Sequence, residues 1–209
     1  VFYHRLMSEM RTAILEDSFL AYYNSHRDIL SKADDDNPVT PPTRKRTQVP
    51  TAKSLGDYEI QFSPKGYSNI RQLSSGEVMG SVSDPTEEAK LLYIQQSQLP
   101  ARIRHARATQ SPLVIWDVGL GAASNAMAAI RCFEEDEATH GPADAGQTPM
   151  RIYSFENDLD PLRLALKYSK YFPQLHHSAP HALLRDGTWT SKGGTLQWDL
   201  VQGDFWAQM

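Results

Sequence analysis

The sequence predicts an α/β fold in its second half, with a parallel sheet and helices between the strands. A buried apolar run at 113–116 leads into a glycine turn and then an apolar helix over 122–133. Further apolar runs follow at 150–155 and 196–201, and Asp160-Pro161 begins a helix between them. Alternation of strands and helices along a chain is typical of β-α-β units, whose strands lie parallel.

Composition divides the 209 residues into four segments. Residues 1–30 predict one amphipathic helix, and the Pro-rich stretch 31–57 predicts a flexible linker whose basic triplet, 44–46, is interpreted as solvated surface. Residues 58–112 predict a β-hairpin region with a helical lead-in. Residues 113–209 form the predicted cofactor-binding half-domain.

Local patterns refine the middle and the end of the chain. Alternation at 58–62 and 69–73 predicts hairpin strands, while Asp84-Pro85 begins a helix that Pro100 breaks or restarts. The acidic stretch 134–149 predicts an exposed loop. The three histidines at 176, 177 and 181 predict a second loop, solvated rather than metal-binding.

Charge and composition exclude several classes of protein. The formal net charge of −4 argues against binding to nucleic acid through bulk positive charge, although it leaves room for a local basic patch. No apolar run approaches the ~20 residues that cross a bilayer, so we expect no membrane association. The single cysteine, Cys132, excludes an intrachain disulfide framework and favours the cytoplasm.

The most informative segment is the glycine turn that follows the first strand of this sheet. Gly119 and Gly121 allow a ligand to approach the backbone closely. Acids stand at the ends of three successive strands: Asp117, Glu156 and Asp204. Their agreement distinguishes this turn from one whose glycines serve a steric purpose only.

Two cofactor classes compete for such a turn. In dinucleotide-binding folds an acid about 20 residues after the glycines binds the ribose. Glu156 lies further along, but the loop before the second strand accounts for the excess, so spacing does not decide. Asp117 is the better discriminator, because a carboxylate at this position repels a pyrophosphate and suits the ammonium of an amino-acid moiety. This favours S-adenosylmethionine, with Glu156 on its ribose and Asp204 near the adenine amine.

The motifs also resemble those of a known family. Asp-Val-Gly-Leu-Gly-Ala-Ala-Ser-Asn at 117–125 is similar to the glycine motif of Rossmann-like class I methyltransferases, specifically the MnmC-like branch that modifies the wobble uridine of tRNA. Ser-Phe-Glu at 154–156, Tyr-Phe-Pro-Gln-Leu at 171–175 and Gly-Asp at 203–204 match the same branch. So does Gln-Leu-Pro-Ala-Arg at 98–102, ahead of the first strand.

The resemblance implies N-methylation, by S-adenosylmethionine, of an aminomethyl group on a wobble uridine of tRNA. It implies cofactor contacts from the glycine turn and from the strand ends: Asp117, Gly119, Leu120, Gly121, Asn125, Glu156, Asn157, Asp204 and Phe205. Arg102, Arg104 and Arg107 are candidate contacts to the tRNA backbone. Their position on the solvent-exposed face of a short helix would account for the three arginines equally well.

The family's Asp-x-Phe-x-Pro segment, which faces the target amine, does not occur in the 209 residues. We therefore expect the catalytic residues C-terminal to Met209, the chain to be a fragment of a larger enzyme, and its own catalysis to be absent or reduced. Two alternatives stay open: a nicotinamide or flavin oxidoreductase with a Rossmann turn, and a catalytically inactive module that binds the cofactor or RNA.

Overall fold

The computed structural model describes residues 2–30, 53–79, 83–141, 149–203 and 205. The chain divides into two units, 1–48 and 49–209. Most of the predicted linker, including the basic triplet at 44–46, lies outside the described residues. The linker prediction is wrong for its last residues: Ser54–Leu55 form a strand, because they pair with Tyr58 and Glu59 across a turn at Gly56 and Asp57.

The first unit contains two helices where the sequence predicts one. Helix α1 spans Phe2–Leu15 and α2 spans Phe19–Leu30. The prediction of one helix is wrong because Asp17 adopts a left-handed conformation, which Asp tolerates better than most residues, and Ser18 then begins a new helix. Tyr22 of α2 donates a hydrogen bond to Glu9 of α1 at 3.3 Å.

The second unit begins with an antiparallel sheet of four strands. These are β1 (Ser54–Leu55), β2 (Tyr58–Phe62), β3 (Ser68–Gln72) and β4 (Val78–Met79), in that spatial order. Strands β2 and β3 form the predicted hairpin, in which buried Ile60 lies opposite buried Ile70. The alternating pattern therefore places one face of this sheet in the core.

Helices connect the two sheets. Helix α3 (Pro85–Ala89) begins at the predicted proline, where the Asp84 side chain accepts a hydrogen bond from the Thr86 amide. It continues into a π-helical segment, Lys90–Gln95, and α4 (Leu99–Thr109) follows after Gln98 adopts a left-handed conformation. Pro100 lies in the first turn of α4, where its missing N–H costs nothing.

The second sheet contains three parallel strands, as predicted: β5 (Leu113–Val118), β6 (Met150–Glu156) and β8 (Leu196–Gln202). A short strand that the sequence does not predict, β7 (Thr188–Thr190), pairs antiparallel with β8, so the spatial order is β5-β6-β8-β7. The connecting helices are α5 (Ser124–His140), α6 (Asp160–Lys167) and α7 (Ser178–Asp186). This mixed α/β arrangement is the predicted Rossmann-like fold class.

Two predicted loops are in fact helical. Helix α5 does not end near residue 133 but runs to His140, because Asp136 is buried in ion pairs with the preceding helix. Residues 142–148 of that predicted loop lie outside the described part. The loop predicted around the histidines contains α7, whose start is capped by the His177 ring as it accepts a hydrogen bond from the Ala179 amide. Pro180 fits there because it lies in the first turn.

The core lies between the parallel sheet and its helices and extends to the hairpin sheet. Its largest fully buried side chains include Trp198, Phe133, Phe172, Ile130 and Ile152. Helix α6 also contacts β1 and β2, so the two sheets share this core. Among the described residues, no helix is long and apolar enough to cross a membrane.

Candidate functional site

The glycine turn connects β5 to α5 through left-handed backbone conformations. Gly119 has a φ of 85° and Gly121 a φ of 51°, and Ala123 has a φ of 58° just before α5 begins. The Gly119 amide donates to the carbonyl of Phe155 at 2.9 Å, which fixes the turn to the next strand. Apart from Gly119 and its two chain neighbours, no heavy atom of the described residues lies within 4 Å of a Cβ placed on Gly119, so the backbone surface there is open to a ligand.

Asp117 lies at the end of β5 and is 9% exposed. Its Oδ2 accepts a hydrogen bond from Ser154 Oγ at 2.7 Å, and Ser154 Oγ in turn accepts one from Trp198 Nε1 at 2.8 Å. Ser154 lies opposite Asp117 in the pairing of β5 with β6. A hydrogen-bonded relay across three parallel strands therefore holds the carboxylate in place.

The same surroundings change the acidity of this carboxyl group. Burial raises the pKa of Asp117 from its ordinary value of 3.8 to about 6, against the opposing effect of the Ser154 hydrogen bond. The negative charge of Glu156 adds to the rise. Asp117 is therefore ionised at pH 7. Because it is poorly solvated, its carboxylate is stabilised when a cation lies beside it.

Glu156 ends β6 on the other side of the turn. Its Oε2 accepts a hydrogen bond from the Gly121 amide at 3.0 Å, and its Oε1 accepts from the amides of Asn157 and Asp158. Since each carboxylate oxygen has two lone-pair directions, room for further donors remains. Glu156 thus holds the turn in shape while keeping acceptor capacity.

A cleft of about 130 Å³ lies against this turn. The turn forms one wall, and Ser68, Asn69 and Met79 of the hairpin sheet contribute to the opposite one. The Met79 sulfur lies 3.7 Å from the position of a Cβ on Gly121. Because typical ligand pockets measure about 300 Å³ or more, this cleft by itself is smaller than a typical ligand site.

These hairpin residues are not predicted from the sequence, nor are Tyr93 of the π-helical segment and Phe172, which also line the cleft. The alternating pattern places β3 and β4 in a sheet, but it does not say which element that sheet covers. A π-helical segment is frequent at functional sites, but its bonding pattern leaves no signature in the sequence.

A groove of about 390 Å³ runs along β5. It is lined by Asp117, by Trp116 and by Asn125 of α5, and Asn125 also lines the glycine-turn cleft. The structure therefore brings Asp117, Asn125 and the glycines together around one turn. It places Glu156 against the same turn through the Gly121 amide.

The remaining predicted contacts have different surroundings. Leu120 is buried in the turn, and Asn157 is exposed after β6. The Phe205 ring contacts the rings of Phe155 and Trp116, with centroids 4.9 and 6.1 Å apart. Asp204 lies outside the described residues.

The basic residues of α4 make contacts within the chain. Arg107 donates to Asp136 Oδ2 at 2.9 Å and to the Gly141 carbonyl, and its side chain is 15% exposed. Arg104 lies 3.5 Å from the same carboxylate but stays half exposed, and Arg102 donates to the Ser97 carbonyl. Arg107 therefore has a structural role, whereas Arg102 and Arg104 keep surface for other contacts.

Two further residue types behave as structural groups. Cys132 is buried in α5, and burial raises the pKa of its thiol to about 11, so it is inert as a nucleophile at neutral pH. His177 contacts Glu134 at 3.1 Å besides capping α7. Within the described ranges, no group of three or more His, Cys, Asp or Glu side chains is arranged to hold a metal ion.

Comparison with known proteins shows a likeness in structure without a match in sequence. No family model matches the sequence, and no curated protein matches it. The crystal structure of MnmC2 from Aquifex aeolicus is similar over 72% of this chain, with 19% sequence identity and a TM-score of 0.43. The match spans 44% of that chain.

Proposed function

We propose that the chain binds S-adenosylmethionine and belongs to a methyltransferase that N-methylates an aminomethyl group on a wobble uridine of tRNA. One observation carries the proposal: a buried carboxylate, Asp117, stands directly before an open glycine turn. The motif resemblance to the MnmC-like branch supplies the reaction and the substrate.

The charge of the site favours this donor over a dinucleotide. Asp117 precedes the turn by two residues and Glu156 accepts a hydrogen bond from the Gly121 amide, so the site is anionic where a pyrophosphate would have to lie. The ammonium of the donor's amino-acid part suits the ionised Asp117, and Glu156 retains acceptor capacity for ribose hydroxyls. The open backbone at Gly119 gives the ligand close access.

S-adenosylmethionine, when bound, would supply a methyl group from its sulfonium to a neutral amine: the C–N bond would form as the C–S bond breaks, the thioether would leave, and the resulting ammonium would lose its proton to solvent. The residues described here hold and orient the donor: the relay from Trp198 through Ser154 fixes Asp117, and Glu156 fixes Gly121. Alignment of two reactants accounts for much of the rate enhancement in such a transfer. A tRNA substrate and a cytoplasmic location complete the proposal, the latter favoured by the lone cysteine.

Calorimetric titration of the chain with S-adenosylmethionine and with NAD tests the donor site. We expect saturable binding of S-adenosylmethionine and at least about tenfold weaker binding of NAD. Asp117→Asn removes the charge and keeps the hydrogen bond to Ser154, so we expect it to weaken donor binding about tenfold or more, equivalent to about 1.4 kcal/mol. Asp199→Asn, the same change on β8, provides the matched control.

A second pair of variants tests the open backbone. Gly119→Ala and Gly76→Ala both place a methyl group at a positive φ with nothing within 4 Å, so both carry similar backbone strain. Only Gly119 borders the cleft, and only its variant should lose donor binding. Tighter binding of NAD than of S-adenosylmethionine, or full donor affinity in Asp117→Asn, contradicts the proposal.

A further inference from the structure

Three lysines and three aromatic rings form a cluster at the junction of the hairpin sheet and α6. The lysine–tyrosine cluster, as we name it, consists of Lys53, Lys167, Lys170, Phe62, Tyr168 and Tyr171. Its members come from three separate stretches of the chain. Lys167 and Lys170 are neighbours in the sequence, and the fold brings Lys53 to them.

The aromatic rings hold the ammonium groups in place. Lys53 Nζ lies 4.9 Å from the Tyr171 ring centroid and 5.4 Å from that of Phe62. Lys170 Nζ also lies 4.9 Å from the Tyr171 centroid. Hydrogen bonds from these two lysines lower the pKa of the Tyr171 hydroxyl. Cation–π contacts orient an ammonium group, and an aromatic ring carries no counter-charge, so the rings hold the lysines in place without pairing them with an anion.

No carboxylate cancels these charges within the described part of the chain. The ion pairs found there involve arginine or histidine, and none includes Lys53, Lys167 or Lys170. In a chain with a formal net charge of −4, this is a local concentration of positive charge. Such a patch attracts phosphate groups.

The cluster borders a cleft that adjoins the glycine-turn cleft. This second cleft, of about 370 Å³, is lined by Phe62, Tyr171 and Lys170, and also by Asp84, whose side chain caps α3. It shares two lining residues, Ser68 and Pro85, with the glycine-turn cleft. A polymer bound at the lysines therefore has a short path to the proposed donor site.

We propose that the lysine–tyrosine cluster binds the phosphate backbone of a single-stranded RNA segment whose neighbouring nucleotide enters the adjoining clefts. The identification of the polymer as RNA rests on the proposed function. Its single-stranded form follows from the clefts, because a nucleotide paired within a duplex cannot enter them without leaving its partner.

Fluorescence anisotropy with a labelled, unstructured 12-nucleotide RNA tests this surface in the full chain. Lys53→Gln combined with Lys170→Gln should weaken binding about tenfold at 0.1 M salt. The slope of log K against log salt should become shallower by about 1.4, since each phosphate contact on a single strand contributes about 0.7. Lys192→Gln combined with Arg185→Gln makes the same change in net charge away from both clefts. This control should weaken RNA binding by less than about tenfold and should change the salt slope by less than about 1.4.

Further arms separate the ways in which the proposal can fail. A duplex of the same length should bind more weakly than the single strand, and polyglutamate should not compete. Equal binding of duplex, effective competition by polyglutamate, or an unchanged salt slope in the double variant each overturns the proposal. Thermal unfolding checks that the double variant is folded. If it is not, Lys170→Gln alone, at an exposed position, should still make the slope of log K against log salt shallower by about 0.7.

Calorimetry with S-adenosylmethionine on the same variants distinguishes this proposal from the proposed function. The lysine variants should bind the donor as the unmodified chain does, because none of the lysines lines the glycine-turn cleft. If the chain binds the donor and the lysine variants bind RNA as the unmodified chain does, the proposed RNA-binding surface is wrong and the proposed function stands. If the lysine variants lose RNA binding and the unmodified chain does not bind the donor, the proposed methyltransferase function is wrong and the RNA-binding surface stands.

Discussion

Asp117 places a negative charge where burial opposes it, and this has a measurable cost to the folded state. The folded chain holds the Asp117 proton more tightly than the unfolded chain does, because burial raises the pKa from 3.8 to about 6. The contribution of this group to the free energy of unfolding is therefore greatest at low pH. It falls as the pH rises from about 4 to about 6, and is constant above that.

Asp117→Asn removes this dependence. Relative to the unmodified chain, we expect the variant to gain about 2 kcal/mol between pH 4 and pH 7, measured by urea unfolding at several pH values. Taking the difference between the two proteins cancels the contributions of acids whose pKa is lowered, such as Asp57 and Asp186. Parallel stability curves for the two proteins would show that Asp117 is not buried as described.

The sequence predicts Asp117 and Glu156 as candidate site residues because both stand at the ends of recognisable strand patterns. It does not identify Ser154 and Trp198 as partners of Asp117, because their contact depends on how β5, β6 and β8 are paired in space. A strand register set by tertiary packing has no local signal. The position of a residue at the end of a strand can therefore be predicted, whereas the hydrogen-bonded relay around it cannot.

At the scale of elements, ion pairs between α4 and α5 explain why α5 is longer than its sequence suggests. The acids after Phe133 indicate a solvated loop, yet Asp136 is buried and paired with Arg107. The compensating charge comes from a residue 29 positions earlier, on another helix. A local reading of hydrophobicity cannot include such a distant partner.

Removal of the arginine should show the strength of this connection. Arg107→Leu leaves the Asp136 carboxylate buried without its nearest cation, so we expect a loss of about 3 kcal/mol in the free energy of unfolding, measured by urea titration. Arg104→Leu is the matched control: its side chain is 49% exposed and 3.5 Å from the carboxylate, and its loss should cost less than about 1 kcal/mol. Equal losses in the two variants would contradict the assignment of Arg107 as the main partner.

At the scale of the whole molecule, β5 leaves apolar surface in contact with water. Val114, Trp116 and Val118 alternate along the strand and are 46%, 52% and 57% exposed. Within the described residues β5 pairs with β6 alone, so its other edge keeps unpaired backbone groups. An apolar edge strand of this kind promotes association between copies of a chain.

We expect Val114→Thr combined with Val118→Thr to reduce concentration-dependent association, measured by sedimentation velocity. Thr keeps the β-branched shape that suits a strand and removes apolar surface. Leu73→Thr alters a side chain of similar exposure, 45%, away from this strand and should have no such effect. Unchanged association in the double variant would mean that another surface is responsible.

The general plan of the parallel sheet could be predicted from the order of strand and helix patterns. The position of the hairpin sheet over the glycine turn could not, because it depends on side chains that meet only after folding. Met79 against Gly121 is one such meeting, and Ser68 and Asn69 complete that wall of the cleft.

That wall has a consequence for the energetics of ligand binding. Ser68 on β3 lines both clefts. A ligand that immobilises this strand in one cleft therefore reduces the conformational entropy that a second ligand loses on binding in the other. Thermodynamic reciprocity then applies: whatever factor an RNA strand adds to donor affinity, the donor adds to RNA affinity. The hairpin sheet would thus couple the binding of the two ligands.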